Sequence, residues 1–191
     1  NEPPGEIHYT RSLPLKKAQH EDVLLCYQMN GEDLTPSHGF PLRLIVPGWY
    51  GMASIKWLQR IVVSPFPYIG HYQSFGYTYF TRPYGLPHLE VIDNIQVKSS
   101  IARPATESKV PRGKPYKIFG AAWAGPNDIA KVEVSTDGGD RWAEARLLDK
   151  PVKYAWQLWE HEWKVPDRAD QVTLMCRATD SAGNQQPMER D

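Results

Sequence analysis

HGFPLRLIVPGWYGMASIKWL, His38 to Leu58, puts a cation where apolar packing should exclude one. Pro41 to Pro47 reads as a short buried strand, apolar on both faces, with Arg43 at its centre. A guanidinium in such a strand needs a partner, because an uncompensated buried charge is costly. His38 precedes it and Lys56 follows, beyond a turn region holding Pro47, Gly48 and Gly51. Cationic or protonatable groups separated by small residues fit an anion pocket, with a phosphate held by the Arg43 fork and by backbone N–H groups near Ser54. The alternative from residue types alone is Arg43 paired with a carboxylate elsewhere, and a surface His38 and Lys56.

Working outward, composition sets the class. The 191 residues are 41% hydrophobic and 23% charged, and Lys plus Arg balances Asp plus Glu at 22 each. That balance gives no electrostatic case for nucleic acid or an acidic membrane surface. No apolar run approaches the roughly 20 residues of a membrane helix. With 17 Pro, 14 Gly, 7 Trp and 10 Tyr, the chain favours short strands and ordered loops, and a mainly β fold follows. Cys26 and Cys176 fall in different expected strands with apolar neighbours, which favours two free thiols over a disulfide. Neither the cysteines nor the 6 scattered histidines have zinc-ligand spacing, so no metal site built by this chain alone is expected.

Before the opening stretch, Asn1 to Gly5 reads as an irregular entry and Lys16 to Gln19 as a short helix. Val23 to Met29 is a strand closed by Asn30 and Gly31, which tolerate positive φ. Tyr9, Thr10 and Ser12 beside Arg11 have the polarity of a surface loop. After it, Trp57 to Val63 is expected as a strand with Trp57, Leu58, Ile61 and Val63 toward a core, ended by Pro65 and Pro67. His71 to Tyr84, HYQSFGYTYFTRPY, is aromatic and without a regular period. Phenols along such a loop suit pockets and interfaces. Val91 to Val97 crosses to a second unit, and Ser99, Ser100, Pro104 and Thr106 to Ser108 make a polar, proline-bearing connection.

From Lys109 the chain reads as an immunoglobulin-like β-sandwich. Tyr116 to Trp123 and the alternating Ile129 to Thr136 are strands. Asp137, Gly138 and Gly139 form a hairpin turn, with Trp142 opening the return. Tyr154 to Val165 is a Trp-rich strand, and Val172 to Ala178 alternates before the turn DSAGN, Asp180 to Asn184.

Together, HGFPLRLIVPGWYGMASIKWL, the preceding LLCYQMN (Leu24 to Asn30) with Gly31, and the later GAAW (Gly120 to Trp123), VEVSTDGG (Val132 to Gly139), Trp142 and AWQLW (Ala155 to Trp159) resemble the sulfite oxidase family of molybdenum enzymes. The resemblance implies the C-terminal part of an α+β molybdopterin domain over 1–93, then an immunoglobulin-like dimerisation domain over 94–191. It also implies a Mo-molybdopterin cofactor whose phosphate is held by His38, Arg43, Lys56 and the backbone of Ser54 and Ile55. The Tyr9 to Ser12 segment would lie near that cofactor. Tyr77 falls where relatives place a catalytic tyrosine beside the oxygen ligands of molybdenum, although Gly76 stands where animal sulfite oxidases have an acidic residue. Gln157 stands where those enzymes carry a substrate-attracting arginine, and the lost charge weakens anion recruitment.

The family's molybdenum-ligating cysteine belongs to an earlier segment that neither Cys26 nor Cys176 matches, so the chain resembles a C-terminal portion, inactive by itself. The implied activity is two-electron oxidation of sulfite to sulfate in the periplasm by a homodimer that passes electrons to a c-type cytochrome or other haem protein. A non-catalytic dimerisation or binding module, and an oxidoreductase for another oxyanion or an S-oxide, are the alternatives.

Overall fold

The computed structural model describes residues 5, 7–66, 68–168 and 171–188. The expected irregular entry, Gly5 apart, lies outside these residues, as does Pro67. The chain divides into two compact units, Asn1–Asn94 and Ile95–Arg190. Strand makes up 34% and helix 11%, so the chain is mainly β.

In the first unit, α1 (Leu15–Ala18) precedes β1 (Leu24–Cys26) and the hairpin of β2 (Gln28–Met29) and β3 (Glu32–Asp33). Asn30 and Gly31 have φ of 55° and 83° in its turn, the double left-handed conformation their residue types tolerate. Then β4 (Arg43–Ile45) pairs antiparallel with β1, and β5 (Thr78–Thr81) with β6 (His88–Val91). A small core forms where Val46, Trp49 and Ala53 gather Leu13, Val23 and Leu44.

Several expectations are corrected here. The strand expected over Pro41 to Pro47 shrinks to Arg43–Ile45, flanked by the prolines that cannot extend its ladder. No strand forms over Trp57 to Val63; Ile61, Val62 and Val63 are 65%, 70% and 83% exposed. Their apolar character misled because that backbone has no partner strand among the described residues; within the segment, the Leu58 N–H donates to the Leu42 carbonyl at 2.9 Å. The aromatic stretch is more regular than its sequence promised. Tyr72–Gly76 forms a π-helical turn, closed by the Tyr77 N–H donating to the Tyr72 carbonyl at 2.9 Å, and leads into β5.

The second unit contains β7 (Lys98–Arg103), β8 (Pro115–Trp123), β9 (Ile129–Ser135), β10 (Ala143–Glu144), β11 (Arg146–Leu147), β12 (Gln157–Lys164) and β13 (Met175–Asp180). They form an antiparallel sheet ordered β11-β12-β8-β7 and another ordered β10-β9-β13. The two sheets enclose Ile118, Ala122, Val132, Val134, Trp159, Trp163 and Ala178, a core supplied by the inward residues of alternating strands. Gly120 faces Trp159 across β8 and β12, and a Cβ there would collide with the indole and with the Ser100 carbonyl. The glycine of GAAW thus makes room for a tryptophan that is fully buried.

The polar connection expected after Ser99 is instead the edge strand β7. Ser99 is buried, and its N–H donates to Gln186 Oε1 at 2.6 Å. Short polar side chains fill inward positions of an edge strand when a partner satisfies them. Both cysteines are free thiols, and burial pushes Cys176 above its ordinary value.

Candidate functional site

The first unit brings together the residues singled out around Arg43. The 3-10 turn Pro36–His38 ends at Gly39, which has φ of 108°. A Cβ on Gly39 would sit 3.1 Å from both Arg43 Cβ and Lys56 Cβ, so a glycine lets the turn close against them. Arg43 donates from Nη1 to the His38 carbonyl at 3.1 Å and from Nη2 to the Ser54 carbonyl at 3.4 Å. Lys56 Nζ donates to the Ser37 carbonyl at 3.1 Å, and Trp57 Nε1 to that of Pro36 at 2.8 Å. The Leu44 N–H reaches the Ile55 carbonyl at 2.8 Å, and the Val46 N–H reaches Ser54 Oγ at 3.1 Å. His38 Nδ1 lies 2.9 Å from Thr35 Oγ1.

His38, Arg43, Ser54, Ile55 and Lys56 therefore share one small surface. Among the described residues the partners of Arg43 are backbone carbonyls rather than the carboxylate that residue types alone allowed. Arg43 Nε is buried with no partner. A cationic cluster with an unfilled donor and a glycine cradle has the chemistry to take a phosphate.

Beside it lies an aromatic cluster. Tyr9 donates from its hydroxyl to the Met52 carbonyl at 2.8 Å, in the 3-10 turn Gly51–Ala53 just before Ser54. Its ring meets that of Tyr72 at 5.1 Å and stands edge-on to Tyr77 at 6.1 Å between centroids. Burial, then the neighbouring Tyr77 phenol, pushes the Tyr9 hydroxyl up to about 12. The Arg11 guanidinium lies 5.6 Å from the Tyr77 ring centroid, and its Nη2 donates to the Ile92 carbonyl at 2.9 Å. The Ile92 N–H in turn reaches the Tyr77 carbonyl at 3.0 Å. Sequence reasoning singled out Tyr77 but gave Arg11, Tyr72 and Gln73 no role of their own; the signal available was a cation in a polar run beside a tyrosine.

Gln157 belongs to the second unit, where it is 7% exposed and donates from Nε2 to the Leu148 carbonyl and, at 3.4 Å, to that of Asp149. Its amide anchors a loop. Among the described residues, no group of His, Cys, Asp and Glu has the arrangement to hold a metal ion, and no helix is long and apolar enough to cross a membrane.

The first unit thus carries a cationic turn cluster, and the second is a two-sheet sandwich. Residues 1–72 match the oxidoreductase molybdopterin binding domain, and residues 89–190 match the Mo-co oxidoreductase dimerisation domain. The chain belongs to the sulfite oxidase family of molybdopterin oxidoreductases. It is 36% identical to sulfite oxidase of Gallus gallus over 96% of this chain and 42% of that protein. Against an NADH nitrate reductase of Brassica napus it is 34% identical over 96% of this chain and 23% of the other. Among solved structures it is similar to the sulfane dehydrogenase SoxCD from Paracoccus pantotrophus, with a TM-score of 0.77 and 32% identity, covering 92% of this chain and 44% of that one. The chain thus spans less than half the length of these relatives.

Proposed function

We propose that this chain forms part of a molybdenum-dependent oxidoreductase for sulfite or a closely related sulfur oxyanion. Residues 1–93 contribute to the molybdopterin site, and residues 94–191 dimerise through the sandwich. The observation that carries the reading is the assembled cluster of His38, Arg43, Ser54, Ile55 and Lys56, with the unfilled Arg43 Nε within it. These residues fit the phosphate of a pterin, with Arg43 and Lys56 supplying charge and the backbone at Ser54 and Ile55 supplying dipoles. When bound, the cofactor supplies the two-electron redox chemistry and oxygen transfer.

The chain's own residues position and protonate. Tyr77, at the end of the π-helical turn, presents a phenol that donates a hydrogen bond to an oxyanion and carries a proton during turnover. Burial, with the Tyr77 phenol beside it, pushes the Tyr9 hydroxyl up to about 12, so Tyr9 acts as a neutral hydrogen-bonding group. Gln157, with its Nε2 on the Leu148 and Asp149 carbonyls, holds the loop at residues 148–149 of the second unit. Electrons leave singly to a c-type cytochrome or other haem acceptor, and a periplasmic setting accords with similarity to a sulfane dehydrogenase of a bacterium.

The test is molybdenum and pterin content of the full-length protein purified from a host that makes the cofactor, followed by sulfite-dependent reduction of cytochrome c. Stoichiometric cofactor and sulfite-dependent reduction are expected. Protein free of pterin after expression in that host overturns the reading.

A further inference from the structure

Arg11 has an electrostatic problem that the cofactor site does not solve. Its Nη2 is spent on the Ile92 carbonyl, while Nε and Nη1 are buried and have no hydrogen-bond partner among the described residues. No carboxylate pairs with it among the described residues. The Tyr77 ring offers some cation–π attraction at 5.6 Å, but a ring face does not satisfy two N–H donors. Desolvating a guanidinium without a counter-charge is strongly unfavourable, so the arrangement is costly unless an anion completes it.

The surroundings hold the cation in place. The Ser12 N–H donates to Gln73 Oε1 at 2.8 Å, and Gln73 Nε2 donates to Ser12 Oγ at 2.8 Å, tying the residue after Arg11 to the π-helical turn. Tyr9 and Tyr72 wall one side with rings 5.1 Å apart, and Tyr77 stands across from Tyr9. Arg43, by comparison, has both Nη groups occupied and leaves one donor for a phosphate. Arg11 has two donors left, beside the phenol to which the proposed mechanism assigns proton transfer.

We infer that Arg11 is the substrate-anion receptor of the first unit: its free Nε–H and Nη1–H, together with the Tyr77 hydroxyl, bind a small sulfur oxyanion. The assignment rests on the proposed function only for the substrate's identity. The donors are preorganised by the Ser12 and Gln73 clamp, which lowers the cost of ordering them on binding.

The test uses sulfate, which cannot be oxidised further, as the probe of the full-length protein by isothermal titration calorimetry, with chloride at equal ionic strength as the control. Wild type binds sulfate over chloride, with a change in tyrosine ultraviolet absorption because the anion sits among Tyr9, Tyr72 and Tyr77. Arg11→Gln keeps a donor for the Ile92 carbonyl but loses the charge, and binds sulfate at least roughly tenfold more weakly with unchanged pterin content. Arg11→Lys keeps the charge without the planar fork and falls between the two.

Wild type that shows no preference for sulfate, no change in tyrosine absorption, or the same affinity in Arg11→Gln overturns the assignment. So does loss of pterin from Arg11→Gln with sulfate affinity intact, which would give Arg11 to the cofactor phosphate. Arg11-dependent sulfate binding by a protein that carries no pterin leaves this inference standing and removes the molybdopterin reading. Pterin carriage without sulfate affinity does the reverse.

Discussion

Ser12 and Gln73 are joined twice, by the Ser12 N–H to Gln73 Oε1 and by Gln73 Nε2 to Ser12 Oγ, each at 2.8 Å. This reciprocal pair fastens the segment carrying Arg11 to the turn that delivers Tyr77. Gln73→Ala leaves a partly buried N–H and a hydroxyl unsatisfied, and is expected to destabilise the first unit by about 1–2 kcal/mol. Faster amide hydrogen exchange at Ser12 and Tyr77, with the second unit unchanged, checks it. Unaltered exchange at both positions would show that the clamp contributes nothing.

Replacing Tyr77 by Phe keeps the ring over Arg11 and removes the hydroxyl. Turnover is expected to fall by roughly 10²-fold, at the low end of general acid and base contributions, with cofactor content unchanged. Burial and then Tyr77 raise the Tyr9 value, so loss of the Tyr77 hydroxyl brings the Tyr9 titration down from about 12. Ultraviolet titration of the tyrosines reads this independently of catalysis.

Arg43→Ala removes the ties to the His38 and Ser54 carbonyls as well as the charge, so it should lower both thermal stability and pterin retention. Arg43→Lys separates the effects: it retains charge but not the fork, and holds more pterin than the alanine variant. Equal pterin content in all forms after purification would remove Arg43 from the phosphate site.

Asp180 gives the second unit a pH dependence. Burial opposes its ionisation, but hydrogen bonds from Asn184, Asn127 and the Ala182 N–H outweigh that and hold the carboxyl below its ordinary value. With the folded value depressed, its stabilisation is present above about pH 4 and is lost as pH falls through the folded value. Asp180→Ala should cost about 3 kcal/mol at neutral pH and flatten the acid limb of a denaturation profile. An acid limb identical to wild type would exclude Asp180 as its source.

The sandwich was legible because its chemistry is local. Ile118, Gly120 and Ala122 alternate inward along β8, and Asp137 to Gly139 carry the turn. The cluster around Arg43 was legible for the same reason, since one turn separates the arginine from His38 and another from Lys56. What escaped was long-range. Ser12 and Gln73 are 61 residues apart, and no period in either segment announces the bond between them. The π-helical turn is closed by a backbone hydrogen bond from Tyr77 to Tyr72 that no residue pattern announces. Trp57 to Val63 had strand composition without a partner strand, and β7 had linker composition with one.

The two units differ in how much of their cohesion is internal. Trp159, Trp163, Ile118 and their neighbours fill the second unit's interior, whereas the first gathers a small cluster of Val46, Trp49 and Ala53 and leaves Ile61, Val62, Val63, Phe66 and Ile69 open to solvent. Amide hydrogen exchange under native conditions is then expected to be faster across the first unit than across the sandwich.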